Sequence, residues 1–118
     1  MRPNTVAKFA ATLLLPLALA PAFAADSTVE LAKARKCFSC HKTSTPSYGP
    51  SFQQIARRYH GMANADTMLA DEIKTGTDPH WIVNKHWGTT DMPPSVLRAP
   101  VTDEEAKQLA TWVLSHNK

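Results

Sequence analysis

The chain has 118 residues, 43% of them hydrophobic, and carries 13 Lys and Arg against 10 Asp and Glu, a formal charge of +3. A chain of this length makes one small domain, which buries a modest share of its surface and often needs a staple or cofactor in its core. Arg2 and Lys8 lie in a leader segment, so the remaining charge is close to balanced and gives no argument for nucleic-acid binding.

The N-terminus reads as a targeting segment. Arg2 and Lys8 precede an apolar run from Phe9 to Leu19, broken by Thr12 and Pro16, and no acidic residue occurs before Asp26. The run closes on Ala22-Phe23-Ala24, a small-x-small pattern that signal peptidase accepts, which places the cut after Ala24. An uncleaved anchor is the rival reading, but the run is shorter than the roughly 20 apolar residues that span a bilayer. Residues 1–24 are therefore expected to be a cleaved signal peptide and 25–118 the working domain. Cleavage takes the basic count from 13 to 11 against 10 acidic residues, near +1.

Four stretches carry helical signals. The first runs from about Thr28 to Phe38, with Ser27 and Glu30 as a capping box. The second runs from Phe52 to His60, opened by Ser51 and Gln54 and stopped by Gly61. The third runs from Ala65 to Thr75, with Asn64 as N-cap and Gly76 just past its end. The last runs from Asp103 to Ser115 behind a Thr102–Glu105 capping box. Its Ala106, Leu109, Ala110, Val113 and Leu114 recur on one face. Between Thr77 and Pro100, five breakers (Pro79, Gly88, Pro93, Pro94 and Pro100) exclude a regular helix. So long an irregular stretch is usually functional or supported by a ligand. No segment alternates apolar and polar residues over a strand's length, so the expected class is all-α with one long loop.

The chemistry sits at the end of the first helix, in Cys37-Phe38-Ser39-Cys40-His41. Cys-x-x-Cys-His is the attachment signal for c-type haem. Residues three apart on a helical turn share a side, so two thiols there can reach the two vinyl groups on one porphyrin edge. The histidine that follows is carried beneath the iron. A thioredoxin-like pair would want a strand before the first cysteine, and a structural zinc would want four ligands. A local disulfide is sterically open but leaves His41 without a role. The expected cofactor is one covalent haem c, with iron bound by His41.

The second axial ligand of an electron-transfer haem is usually a soft thioether. Met62 and Met68 border or lie on predicted helices, where methionine is more often core filler. Met92 lies in the irregular loop, stiffened by Pro93 and Pro94, and is the expected ligand. Its rivals are histidines: His86 first, then His80 and His60. A bis-histidine site would have a lower potential.

With the attachment motif, Gly49-Pro50, Trp87-Gly88, Met92-Pro93-Pro94 and the terminal Leu109-Ala110-Thr111-Trp112-Val113-Leu114 in this order, residues 29 to 116 resemble the short bacterial class I cytochromes c. The resemblance implies the class I cytochrome c fold, about four helices wrapped around one haem. It implies that the Pro50 carbonyl accepts from the ring N–H of His41. It implies that Trp87 donates its indole N–H to a haem propionate; ordinary core packing is the alternative. It also implies that the last helix, through Leu109 and Val113, crosses the first near Leu31. Two positions depart from the family pattern. Asp71-Glu72-Ile73 stands where relatives often carry a haem-reaching arginine, and Ser95 where an asparagine can bond the ligand sulfur. The segment from Asp78 to Thr90 is longer and more polar than usual and reads as a solvated insertion rather than a partner surface.

A haem with both axial positions filled has no site for substrate, so the expected role is one-electron transfer in the periplasm, not catalysis. The partners would be periplasmic redox proteins, a dehydrogenase as donor and an oxidase or reductase as acceptor, met as a monomer in weak, transient complexes. Lys36, Lys42 and Lys85 could fringe the exposed haem edge, although each could equally be a solvated surface residue. No nucleic acid and no membrane insertion after signal removal are expected. The alternative is a tightly held haem subunit of a periplasmic dehydrogenase, for which Trp81 and Trp87 are the favouring feature. A haem enzyme or gas sensor with an open sixth position is a third reading, against which the stiff Met-Pro-Pro loop stands.

Overall fold

A computed structural model describes residues 21–77 and 90–118, with side chains described from Asp26 onward. Among these residues there are five α-helices, one 3-10 turn and no strand. The helices are α1 (Pro21–Ala34), α2 (Phe52–Tyr59), α3 (Ala65–Thr75), α4 (Ser95–Arg98) and α5 (Asp103–Leu114), with the 3-10 turn Cys37–Ser39 between α1 and α2. The all-α class is as expected.

Three helices follow their local signals closely. In α2 the Ser51 hydroxyl accepts from the Gln54 N–H at 3.2 Å and the Gln54 side chain accepts from the Ser51 N–H at 2.8 Å. In α5 Thr102 and Glu105 do the same at 3.2 and 3.0 Å. Each box satisfies N–H groups that the first turn leaves without partners. α3 spans the expected residues, but Asn64 sits in the left-handed region (φ 58°) and its side chain makes no capping bond.

α1 departs from expectation at both ends. It continues upstream through Ser27 to Pro21, a residue compatible with a first helical turn. Ser27 and Glu30 are therefore interior to the helix rather than its start. The cut expected after Ala24 falls within α1. At the other end Lys36 adopts φ 60°, ψ 24°. That left-handed residue stops α1 before the cysteines, which fall in the 3-10 turn instead. The short α4 was also not anticipated, because four residues are too few to show a period.

α5 is the hub, packed against α1, α2 and α3. Its Ala106, Leu109, Ala110 and Val113 are all buried and form one cluster with Ala32, Phe52, Tyr59, Leu69, Ile73 and Val101. Ala32 and Ala110 are fully inaccessible. The expected α1–α5 packing is present, with Leu31 at the edge of the cluster. Two side-chain ties join these helices: Gln108 Nε2 donates to Thr28 Oγ1 at 2.8 Å, and Arg35 pairs with Glu105 at 2.5 Å. An exposed Lys74–Asp103 ion pair ties α3 to the start of α5. These contacts leave the turn that follows α1 and the facing sides of α2, α3 and α5 around a common space.

Candidate haem site

That space is a cavity of about 400 Å³. Cys37, Cys40, His41, Pro50 and Met92 all line it. Five of the six residues expected at the site thus meet in one place, although 55 positions separate Cys37 from Met92. The sixth, Trp87, lies outside the described residues, as do Trp81, Lys85, His80 and His86.

The attachment side is built locally. After left-handed Lys36, the amides of Cys40 and His41 both donate to the Cys37 carbonyl, at 3.2 and 3.0 Å. This tight turn brings both thiols and the imidazole to the cavity wall. Both cysteines are free thiols. Burial pushes the Cys37 thiol above its ordinary pKa, with the Arg98 charge opposing. A redox-active pair needs the reverse, a thiol with a lowered pKa. The thioredoxin-like reading also wants a strand before the first cysteine, and among the described residues there is none.

His41 is 9% exposed, and its Nδ1 lies 2.7 Å from the Pro50 carbonyl oxygen. A carbonyl only accepts, so Nδ1 carries the proton and Nε2 keeps its lone pair. Burial lowers the pKa of His41, the Pro50 carbonyl works the other way, and Arg98 adds to the lowering. The result is a neutral imidazole oriented as a ligand needs it. Gly49 is required for this approach. A Cβ there would lie 2.8 Å from His41 Cε1 and 3.1 Å from Nδ1. Behind the imidazole, Phe52 stacks at 5.6 Å between ring centroids, and Trp112 meets Phe52 edge-on at 4.9 Å. This aromatic backing is apolar and holds the ring plane.

The opposite wall is assembled from distant parts of the chain. Met92 pairs with Thr77 in both directions: Met92 N–H donates to Thr77 Oγ1 at 2.7 Å, and Thr77 N–H donates to the Met92 carbonyl at 2.9 Å. Gly76 (φ 86°, ψ −168°) makes the approach possible, since a Cβ on it would lie 2.5 Å from the Met92 carbonyl oxygen. Met62 and Met68 pack against the hydrophobic core and do not line the cavity. His60 is exposed, with its Nδ1 2.6 Å from Asn117 Nδ2, and does not line it either. Ser95 is buried at the start of α4, away from the cavity wall.

Three further residues line the cavity. Glu72 and Tyr59 face the cavity together, and the Tyr59 hydroxyl donates to the Glu72 carboxylate. Burial, reinforced by that carboxylate, pushes the Tyr59 hydroxyl well above its ordinary range. The third is Arg98 on α4, whose side chain reaches back over the loop to the cavity wall. Only the position of Glu72 had been marked, as a departure from an arginine.

The donor set fits a covalently held haem. Two unpaired thiols, one imidazole with a free Nε2 and one thioether converge on a single space, and glycines stand where side chains would obstruct the two ligand segments. Comparison with known proteins agrees. The chain matches the family model described as Cytochrome c over residues 26–117. It is 40% identical over 99 residues to cytochrome c-551 of Stutzerimonas stutzeri, covering 84% of this chain and 85% of that protein. It is 40% identical over 86 residues to cytochrome c-552 of Hydrogenobacter thermophilus, covering 73% and 78% respectively. The crystal structure of wild-type Nitrosomonas europaea cytochrome c552 superposes with a TM-score of 0.63 at 38% identity, covering 75% of this chain and 98% of that one. The chain belongs to the cytochrome c family, and its cofactor is one covalently attached haem c with iron.

Proposed function

We propose that this cytochrome c is an exported one-electron carrier, with Cys37 and Cys40 as the thioether attachment points and His41 and Met92 as the two axial ligands. When bound, the iron takes up and releases a single electron between its ferrous and ferric states. The observation that carries the assignment is the convergence of His41 and Met92 on the cavity that Cys37 and Cys40 also line.

Each residue has a distinct task. The 3-10 turn presents the thiols to one edge of the ring. Pro50 holds the His41 tautomer through its 2.7 Å hydrogen bond and enhances the basicity of Nε2. Thr77 fixes the Met92 backbone. A thioether ligand and an apolar surround both favour the reduced, less charged state and raise the potential. Phe52, Ile55, Leu69 and Leu109 line the cavity and limit water entry. Trp87 is proposed to donate its indole N–H to a propionate. With both axial positions filled, substrate has no place to bind, which favours transfer over catalysis. The leader pattern in residues 1–24 supports export to the periplasm, and among the described residues no helix is long and apolar enough to cross a membrane.

A tightly held subunit of a periplasmic dehydrogenase is the second reading. Val96 and Leu97 on α4, beside the Met92 loop, are 73% and 76% exposed. Two large aliphatic side chains in that position favour contact with a protein partner. A carrier elutes alone on gel filtration at submicromolar concentration; a subunit co-elutes with a larger protein.

Absorption spectra of wild-type protein and Met92→Ala test the axial assignment. The ferric wild type is expected to show the weak thioether-to-iron charge-transfer band at the red end of the visible spectrum. Met92→Ala is expected to lose that band and shift to a lower potential while keeping its covalent haem. A ferric wild type without the band would reject Met92.

A further inference from the structure

Arg98 follows Met92 by six residues and ends the four-residue helix α4. Its guanidinium spreads over three backbone carbonyls from three parts of the chain. Nε donates to Pro93 at 3.2 Å, in the loop that carries Met92. Nη2 donates to Ile73, in the last turn of α3. Nη1 makes a longer contact of 3.4 Å with Arg35, just past the end of α1 and two residues before Cys37.

The carbonyls are not arbitrary. The last four C=O groups of a helix have no partner within it, and the C-terminal end of a helix favours a cation. Ile73 and Arg35 stand at two such ends, and Arg98 serves both. Arginine suits this place because its donors form a rigid planar fork that stays charged. A lysine there would offer a single point charge on a flexible stem. Among the described residues, no carboxylate bonds the Arg98 guanidinium in place of these carbonyls.

We infer that Arg98 is a positioning residue for the axial methionine. Its guanidinium clamps the Met92-Pro93-Pro94 turn against the ends of α1 and α3, so that the sulfur is held over the cavity. Thr77 and Gly76 fix the N-terminal side of the turn, and Arg98 fixes the C-terminal side. Loss of the clamp leaves Met92 present but free to swing away, and a competing ligand then gains access to the iron. This inference rests on the proposed Met92 ligation.

The test is imidazole titration of the ferric holoprotein, followed by the loss of the charge-transfer band, in wild type, Arg98→Met, Arg98→Lys and Gln108→Ala. Far-UV circular dichroism checks the fold of each. Arg98→Met is expected to exchange Met92 for imidazole at a concentration lower by about tenfold, the size expected for losing charge-assisted hydrogen bonds. Arg98→Lys is expected to fall between it and wild type. Gln108→Ala removes a tie between α1 and α5 remote from the turn and is expected to leave the imidazole affinity unchanged. If Arg98→Met does not fold, the ranking of Arg98→Lys against wild type decides. A folded Arg98 variant with wild-type imidazole affinity would overturn the clamp and leave the Met92 ligation standing. A wild type with no charge-transfer band would overturn both.

Discussion

The two walls of the cavity are built in opposite ways. The histidine wall is set mainly by local contacts: one left-handed residue, one 3-10 turn and one carbonyl nine positions on place the thiols and the imidazole, with Trp112 on α5 backing them through Phe52. The methionine wall is a junction. Met92 depends on Thr77 and Gly76, 15 and 16 positions earlier, and Arg98 reaches carbonyls 25 and 63 positions away. A local wall survives motion among the helices, because its parts move together. A junction loosens whenever the elements it joins separate. The methionine side is therefore expected to be the exchangeable face of the site and the histidine side the permanent one.

Substitutions on each wall can break that contrast. The largest effect is expected for Gly76→Ala. It forces a side chain into φ 86°, ψ −168° and brings a Cβ within 2.5 Å of the Met92 carbonyl. Strain and overpacking together are expected to cost about 3 to 4 kcal/mol, measured by urea unfolding, with the charge-transfer band weakened. Gly49→Ala is the matching change on the other wall. Its φ is one that other residues adopt, and the clash is with an imidazole edge. A cost of about 1 to 2 kcal/mol is expected, with a changed potential and a retained charge-transfer band. Equal loss of that band in both variants would contradict the contrast.

Smaller effects sharpen it. Lys36 adopts the left-handed region at a cost of about 1 to 2 kcal/mol. Lys36→Gly removes that strain but adds freedom to the unfolded chain, and a net gain of about 0.5 kcal/mol is expected. It is expected to appear in the urea midpoint and leave imidazole competition unchanged.

The smallest effect concerns pH. A hydrogen bond from Arg35 holds the Glu105 carboxyl below its usual range, and one from Lys74 does the same for Asp103. Such depressed groups contribute stability above their unfolded pKa, and that contribution is lost as pH falls through the folded value. The urea midpoint is therefore expected to be level near neutrality and to drop below about pH 4. Glu105→Gln is expected to flatten part of that drop.

How much the sequence disclosed follows the same division. α2 and α5 were legible because their capping boxes act within a turn, and α3 because Gly76 stops it within a turn, although Asn64 makes no capping bond. The attachment motif and Pro50 were legible because their spacing or family pattern is short-range. α1 was legible at neither end, since Ser27–Glu30 fits a helix start equally well inside a longer helix. No local rule asks a lysine to take a left-handed conformation; Lys36 does so where α1 gives way to the attachment turn. α4 was too short to show a period. Arg98 was silent because its acceptors are backbone carbonyls, which every residue type supplies. Met92 lay between these cases: its prolines were visible, but Gly76 and Thr77 showed their purpose only once the chain had folded back.

The most direct measurement is a single urea titration of the ferric wild-type protein with two signals recorded together. One is the charge-transfer band, which follows the Met92 bond, and the other is far-UV circular dichroism, which follows the helices. The band is expected to disappear at a lower urea concentration than the helical signal. Simultaneous loss of the two signals would contradict it.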